Sequence, residues 1–472
     1  MKQLSRGQKE KKKLAAKRNP VKNQRRLNAS SNAFFRFLAM IKNFFPEFFT
    51  LVKNVHDPRK NNKIYQQELF IAMVIMKDLA GVYTMRGMDS KLVSDAFIRN
   101  ICLVCDLDCE GIENSPSYQT INNYLMRMSP TEFEKLLKYL VTALINSKRF
   151  YDSRFDGRWL VILDGTGIYS SNKKLNDLCT KKVTVDKESG EEKVSYQYSV
   201  LQAVLYLNEG LLVPIGCEFI GNDYDGESKQ DCENKAAKRL LARIHKEHPR
   251  LRICIMGDAL YATEPLMKEC IMHGYDYLFR IKEGSQPLIM EDFRILLEQG
   301  LEQGNIMNPC SNEKGTAEYV NDVQSITGKE EIFNMLNYAY TDNDKAVHTF
   351  DWVTNIPITD KLLKNMVRSG RKRWTIENQG FRNLKLDFWI EHLCCFNETA
   401  MQNHYLIKWI AYVFFQVFKL FDKIVHRDAS IHYTVSAIMT HILQGLERAL
   451  SPEQIEELGR RRSYYFPECT NT

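Results

Sequence analysis

The chain has 472 residues, too many for one simple hydrophobic core, so we expect two or three domains. No apolar run reaches the roughly 20 residues that cross a bilayer, and the basic N-terminus has no apolar segment behind it, which excludes a secretory signal. Residues 1–29 contain eleven Lys or Arg and one acidic residue, so this tail has a formal charge of +10, and the rest of the chain has −3 within the total of +7. We interpret it as a disordered tail that binds polyanions such as DNA; a merely solubilising tail is the alternative.

Twelve cysteines without a disulfide framework indicate free thiols in a reducing compartment.

Residues 30–150 show helical periodicity and are predicted to form an N-terminal helical, DNA-binding domain. We expect helices over four stretches, the first rich in Phe and interrupted at Pro46: 30–56, 66–80, 90–102 and 129–147. Ser117 opens a short polar helix that could be the recognition helix of a helix-turn-helix, with Thr120 and Asn123 contacting DNA; a purely structural helix is the alternative. Zinc is one interpretation of three neighbouring cysteines, but no second CxxC pair follows, so we favour buried thiols: Cys102, Cys105 and Cys109.

Residues 151–284 change to a strand-like pattern, which we assign to the first part of a catalytic core. A buried apolar strand over 159–163 ends at Asp164, and strands over 196–206 and 211–220 follow a polar excursion, so the first three strands predict an antiparallel meander. A charged helix over 227–248 precedes a fourth strand, 251–256, which ends at Asp258. A helix over 265–273 and a strand over 277–281 complete a mixed α/β sheet with helices on its faces.

The remaining sequence is assigned to three further segments. Residues 285–358 are predicted to be a β-rich insertion, 359–421 the second part of the core, and 422–472 a C-terminal helical tail. Within the second part, a helix carries Glu377, and a further apolar helix over 400–421 is expected to close the core. The first of these helices shows an apolar stripe that should pack on the core: Trp374, Phe381, Leu384 and Phe388.

Asp164, Asp258 and Glu377 form a set of acids that suggests metal chemistry. Each alone has an ordinary interpretation, because an Asp after a strand is often a turn residue and Glu377 could pair with Arg373. Parallel pairing of the first and fourth strands would place the two aspartates side by side, where their charges repel. A divalent cation removes this conflict, and three hard oxygen donors favour Mg²⁺ or Mn²⁺ over zinc. Two such ions about 4 Å apart can activate a water and stabilise a leaving oxygen.

These residues resemble the RNase H-like catalytic core of DDE transposases, in particular bacterial insertion-sequence transposases with a Tyr-Arg-Glu-Lys signature. The segments that carry the resemblance are Leu163-Asp164-Gly165-Thr166, Lys229-Gln230-Asp231-Cys232-Glu233, Gly257-Asp258-Ala259-Leu260-Tyr261 and Arg373-Trp374-Thr375-Ile376-Glu377, with Phe381 and Lys385. The chain departs from the signature at two positions. Gly370 stands where the group has Tyr, and Leu384 stands at the Lys position, with Lys385 one step later.

The resemblance implies an enzyme that cleaves the ends of an insertion sequence and transfers the freed strand to target DNA. Asp164, Asp258 and Glu377 would be both the catalytic residues and the ligands of Mg²⁺ (or Mn²⁺). Double-stranded DNA, as terminal inverted repeats and target, would be the partner of a homodimer without membrane contact, in the bacterial cytoplasm and associated with the nucleoid. We expect six residues to contact DNA: Arg373, Lys385, Tyr261, Thr120, Asn123 and Trp352.

Alternatives remain open at this point. Trp352 could hold a flipped base, as some relatives require for a hairpin step, or it could be an ordinary core tryptophan. Tyr261 could line the site or only pack. The protein could also be an RNase H-like metal-dependent nuclease that cuts without joining, or a catalytically idle, domesticated DNA-binding protein. Terminal inverted repeats beside the gene favour the transposase over the nuclease, and an intact acid triad speaks against the idle protein.

Overall fold

The structure is a computed structural model of the chain. It describes residues 33–60, 63–107, 112, 114–176, 179–186, 190–208, 211–221, 231–282, 284, 287–310, 313–324, 332–342, 345–421 and 434–458. The basic tail, Cys109 and the first two residues of the Lys229–Glu233 segment therefore lie outside the described residues. Within the described ranges, no helix is both long and apolar enough to cross a membrane.

The chain contains fifteen α-helices and ten strands within the described ranges. The helices are α1 (Ala33–Phe44), α2 (Phe48–Lys53), α3 (Gln67–Leu79), α4 (Met85–Lys91), α5 (Asp95–Cys105), α6 (Tyr118–Leu125), α7 (Pro130–Asn146), α8 (Glu233–Glu247), α9 (Glu264–Met272), α10 (Pro287–Glu298), α11 (Asp360–Arg371), α12 (Arg382–Leu386), α13 (Glu398–Phe421), α14 (Val435–Leu446) and α15 (Pro452–Leu458). The strands are β1 (Trp159–Ser171), β2 (Thr180–Val185), β3 (Glu192–Asn208), β4 (Leu211–Ile220), β5 (Ile253–Gly257), β6 (Asp276–Ile281), β7 (Gly304–Met307), β8 (Lys314–Gln324), β9 (Ile332–Thr341) and β10 (Val347–Thr354).

The described residues divide into two compact units, of which the first comprises residues 33–136 and 399–458 and is helical. The break between α1 and α2 falls at Pro46, as the sequence predicts. The single helix predicted over 90–102 is wrong: it is replaced by α4 and α5, because Thr84 and Ser94 each cap a new N-terminus by accepting a backbone N–H.

Helix α13 belongs to the first unit from Thr399 onwards. Its aromatic face packs on the Phe-rich N-terminal helices, with the ring of Phe37 centred 5.6 Å from that of Phe418 and the ring of Phe48 4.8 Å from that of Phe414. Asn403 also donates to the carbonyl oxygens of Leu125, the last residue of α6, and of Met128. The expectation that this helix closes the catalytic core stays a prediction.

The second unit, residues 137–398, contains one mixed sheet with the strand order β2-β3-β1-β5-β6-β10-β9-β8-β7 and with β4 paired to β3. Strands β1, β5 and β6 are parallel to one another, so the predicted parallel pairing of the first and fourth strands is confirmed. Strand β1 continues past Asp164 to Ser171, because this stretch pairs with β3; the prediction that the strand ends at Asp164 is therefore wrong. The polar excursion contains a strand that we did not predict, β2, which also pairs with β3.

The strands assigned to an insertion do not form a separate sheet. Strand β10 pairs antiparallel with β6, with Asp351 opposite Ile281 and Thr354 opposite Leu278. Strands β9, β8 and β7 then extend the same sheet by antiparallel pairing. The backbone hydrogen bonds of β7–β10 are therefore continuous with those of the strands that carry the aspartates.

Candidate active site

Asp164 and Asp258 lie at the same edge of the parallel part of the sheet. In the pairing of β1 with β5, Ile162 lies opposite Met256. Asp164 follows Ile162 by two residues, and Asp258 follows Met256 by two residues. Asp164 stays in strand geometry opposite Gln202, whereas Asp258 follows β5 and accepts a 2.9 Å hydrogen bond at Oδ1 from the Leu260 N–H. Both side chains are half-buried. The fold thus brings two carboxylates from different strands to one point.

Glu377 lies in a π-helical turn, Ile376–Phe381, between α11 and α12. The buried Arg373 donates from Nη1 to Glu377 Oε1 over 2.9 Å, which fixes the orientation of the carboxylate. The segment that carries Glu377 is not α-helical throughout, because a turn at residues 372–373 ends α11 and the π turn follows from Ile376. As a consequence, Trp374 leaves the predicted apolar stripe and is 46% exposed, while the stripe's other members remain buried. A π turn is rare and often marks a functional position.

The electrostatics of Asp164 show how close these acids are. Burial, followed by the charges of Glu377, Asp258 and Glu233, raises the pKa of Asp164 to about 7, against an opposing effect of Arg373. Among the described residues, no three acidic, His or Cys side chains are close enough together to form a complete metal site. The chemistry of the site nevertheless fits a divalent cation, since half-buried carboxylates that repel one another need a positive charge, and all the donors are hard oxygens.

Glu233 is a further acid at the site that the sequence reasoning did not single out. It is the first residue of α8, and its Oε2 accepts a 2.7 Å hydrogen bond from the hydroxyl of Tyr261. Its carboxylate lies directly against the backbone of Gly165, the residue after Asp164. The only available signal was the Lys229–Glu233 segment, which resembles the family but carries no visible reason for an acid at this position.

Trp352 and Lys385, both predicted to contact DNA, have partners within the second unit. Trp352 is 2% exposed, and its ring is stacked 5.7 Å from that of Phe350. A Cβ atom on Gly370 would meet the Trp352 ring at 2.6 Å, so the tryptophan occupies the space that a side chain at the signature's Tyr position would need. Lys385 pairs with Glu391 at 2.8 Å.

Thr120 and Asn123 lie on the exposed side of α6, in the first unit. The hydroxyl of Ser117 caps this helix by accepting the Thr120 N–H over 3.3 Å, as the sequence predicts. The opposite side of α6 is buried, so the exposed residues are available to a partner. Cys102 and Cys105 are buried, as the sequence predicts, and neither forms a disulfide.

Comparison with known proteins identifies a domain family over the region that holds this site. The family model described as Transposase DDE domain matches residues 156–414, more than half of the chain. Among solved structures, the cryo-EM structure of the piggyBac transposase synaptic complex with hairpin DNA is similar at a TM-score of 0.40 and 11% sequence identity, covering 90% of this chain and 82% of that chain. No curated protein matches the sequence.

Proposed function

Because the chain belongs to the transposase DDE domain family, whose enzymes cleave DNA and transfer strands, we propose that Asp164, Asp258 and Glu377 are its catalytic carboxylates. The observation that carries this proposal is the parallel register of β1 and β5, which sets the two aspartates side by side. Glu377 is close enough to contribute to the raised pKa of Asp164. The three positions also match the family's order of Asp, Asp and Glu along the chain.

Enzymes of this family depend on divalent metal ions, and we propose Mg²⁺ (or Mn²⁺) for this chain, held by the same three acids. When bound, such ions supply an activated nucleophile and stabilise the leaving oxygen of a phosphodiester. The protein's own residues prepare the site: the Leu260 N–H orients Asp258, and Arg373 orients Glu377. This arrangement keeps one oxygen of Asp258 out of that hydrogen bond and therefore available as a ligand.

The proposed substrate is double-stranded DNA at the ends of an insertion sequence, cut by water and then joined to target DNA through its 3′-hydroxyl. Arg373 and Lys385 would contact the backbone near the acids, and Thr120 and Asn123 would contact DNA from α6. Contacts of Tyr261 and Trp352 with DNA are proposed as well. A homodimer on DNA and association with the nucleoid are likewise proposed.

Cleavage of labelled DNA from both flanks of the gene, with Mg²⁺, tests this function. The wild type should produce 3′-hydroxyl ends at the boundaries of terminal inverted repeats and then joined products. Asp258→Asn should lower the cleavage rate by at least about 100-fold. Substitution of residues that only support metal ligands already lowers activity or metal affinity about 10–100-fold, and Asp258 is proposed as a ligand itself. The matched control is Asp152→Asn, an exposed acid of the same unit. Cleavage by Asp258→Asn at the wild-type rate would remove the catalytic assignment, and cutting without joining would indicate the nuclease.

A further inference from the structure

Each proposed catalytic aspartate has a glycine neighbour that another side chain crowds. A Cβ atom on Gly165 would lie 2.5–2.6 Å from the carboxylate atoms of Glu233. A Cβ atom on Gly257, the residue before Asp258, would lie 2.6 Å from the ring of Tyr261. Real Cβ atoms do not approach other heavy atoms so closely, so a larger residue at either position would force Glu233 or Tyr261 to move. Glu233 and Tyr261 are thus packed directly on the backbone that holds the two aspartates.

The two side chains also hold each other. Tyr261 is 1% exposed, its N–H donates to the carbonyl oxygen of Asp258 over 3.1 Å, and its hydroxyl donates to Glu233 over 2.7 Å. Burial and the neighbouring Glu233 keep the pKa of Tyr261 well above its usual value, so its hydroxyl remains a donor. One carboxylate oxygen, Oε2, is therefore fixed by a rigid ring, and Oε1 can serve a second purpose.

We propose that Glu233 is a positioning residue of the metal site, a fourth carboxylate held against Gly165 by Tyr261 so that its charge and its second oxygen act on the divalent cation or on the water bound to it. This inference rests on the proposed function and deepens it. An amide would accept the Tyr261 hydrogen bond equally well, and a fourth negative charge beside three others is unfavourable until a cation binds. A carboxylate here is therefore explained by the cation.

A purely structural explanation competes with this proposal, because an acid in the first turn of a helix interacts favourably with the helix dipole. The two explanations differ in what they predict. A role in capping α8 affects the stability of the metal-free protein. A role at the metal site affects the affinity for the cation and leaves the metal-free protein as stable as before, or more stable.

Calorimetric titration of the full chain with Mn²⁺ at pH 8, together with melting temperatures without metal, separates these roles. Glu233→Gln keeps the size and the hydrogen-bond acceptor but removes the charge, and we expect it to raise the Mn²⁺ dissociation constant about 10-fold, the typical effect of a partner outside the first coordination shell. Glu247→Gln, at the other end of α8, is the matched control and should bind Mn²⁺ like the wild type. The melting temperature of metal-free Glu233→Gln should not fall.

Tyr261→Phe keeps the ring on Gly257 and removes only the hydroxyl. If the tyrosine acts through Glu233, its effect on Mn²⁺ affinity should be smaller than that of Glu233→Gln, and the double variant should bind no more weakly than Glu233→Gln alone. Fully additive losses would overturn the claim that Tyr261 positions Glu233.

The same titration distinguishes failure of this inference from failure of the proposed function. If Asp164→Asn binds Mn²⁺ as tightly as the wild type, the acids do not form the metal site, and the proposed function fails with the inference. If the Asp164→Asn protein no longer binds Mn²⁺ and the Glu233→Gln protein binds it as tightly as the wild type, only the inference about Glu233 is overturned. A lower melting temperature for Glu233→Gln with unchanged affinity would assign Glu233 to capping of α8.

Discussion

Asp164 is the residue at which burial and charge combine most clearly in this site. Its side chain is half-buried beside three other acids, and its pKa rises from 3.8 to about 7. At pH 7 the metal-free protein therefore carries a proton on this group in about half of the molecules. A metal ion must displace that proton, so metal affinity should rise with pH between 6 and 8.

The same shift makes the stability of the metal-free protein depend on pH. Because the folded pKa is above the unfolded value, the contribution of Asp164 to stability is complete below about pH 4 and is lost as the pH rises to about 7. Asp164→Asn removes this loss, so we expect it to stabilise the metal-free protein at pH 8 by about 1–2 kcal/mol, after allowance for solvent screening. Urea unfolding at pH 4 and pH 8 checks this prediction. An equal effect at both pH values would contradict it.

Arg373 tunes this pH dependence because its charge lowers the pKa of Asp164. Arg373→Gln removes the charge, so the pKa of Asp164 should rise further and Mn²⁺ binding should need a higher pH. Arg373→Lys should keep the wild-type pH dependence but hold Glu377 less firmly, since lysine lacks the planar fork. Mn²⁺ titrations from pH 6 to pH 9 measure both effects, with Arg382→Gln, an exposed arginine of α12, as the control. A pH profile that Arg373→Gln leaves unchanged would exclude this role.

Among the elements, α11 and the π turn position Glu377 relative to the sheet. Gly370, in the last turn of α11, packs on the ring of Trp352 in β10 with no room for a Cβ atom. Gly370→Ala should therefore destabilise the protein by about 1–3 kcal/mol, the usual cost of overpacking. In a protein that already carries Trp352→Phe, which frees space beside residue 370, Gly370→Ala should lower the free energy of unfolding by less. Thermal unfolding measures this, with Gly167→Ala as control, because nothing lies within 4 Å of a Cβ atom there.

The elements also show how far the sequence could predict this protein. The strands that lead to Asp164 and Asp258 could be predicted because a continuous apolar run signals a buried strand, whereas the continuation of β1 past Asp164 could not. The π turn at Glu377 could not be predicted, since no residue pattern distinguishes a π turn from an α-helix. For this reason Trp374 was wrongly predicted to be buried. Glu233 was missed because its role depends on a contact with Gly165, 68 positions away in the sequence, and neither residue type suggests that contact.

The packing of α13 shows the same limit. Its apolar composition predicted a buried helix correctly, but composition does not specify which core buries it. The contacts with Phe37 and Phe48 show that the N-terminal helices bury part of its surface.

For the whole molecule, charge is distributed very unevenly, because residues 1–29 carry eleven basic side chains and one acidic one. Deletion of residues 1–29 should weaken binding to random DNA and reduce the dependence of that binding on salt, since each phosphate contact releases a counterion. Discrimination between terminal-repeat DNA and random DNA should be retained. Binding isotherms at several salt concentrations test this, and an unchanged salt dependence would assign the tail to solubility.

Sequence discrimination should instead depend on the exposed side of α6. Asn123→Ala should weaken binding to terminal-repeat DNA by about 1–3 kcal/mol if the side chain reads a base, and leave binding to random DNA unchanged. The comparison of both DNAs in one assay is the measurement. Gln119→Ala, another exposed residue of the same helix, is the matched variant that shows which side chain reads the base. Equal losses on both DNAs would mean that Asn123 contacts only the backbone.

The close packing at Gly165 and Gly257 also affects how copies of the gene can lose activity by mutation. Every glycine codon is one nucleotide change away from an alanine codon, so a single point mutation at Gly165 or Gly257 adds a methyl group where Glu233 or Tyr261 already lies. A copy of the gene that has lost activity in this way still encodes all three acids. An inventory of genomic copies that counts only intact acid triads would therefore overestimate how many are active.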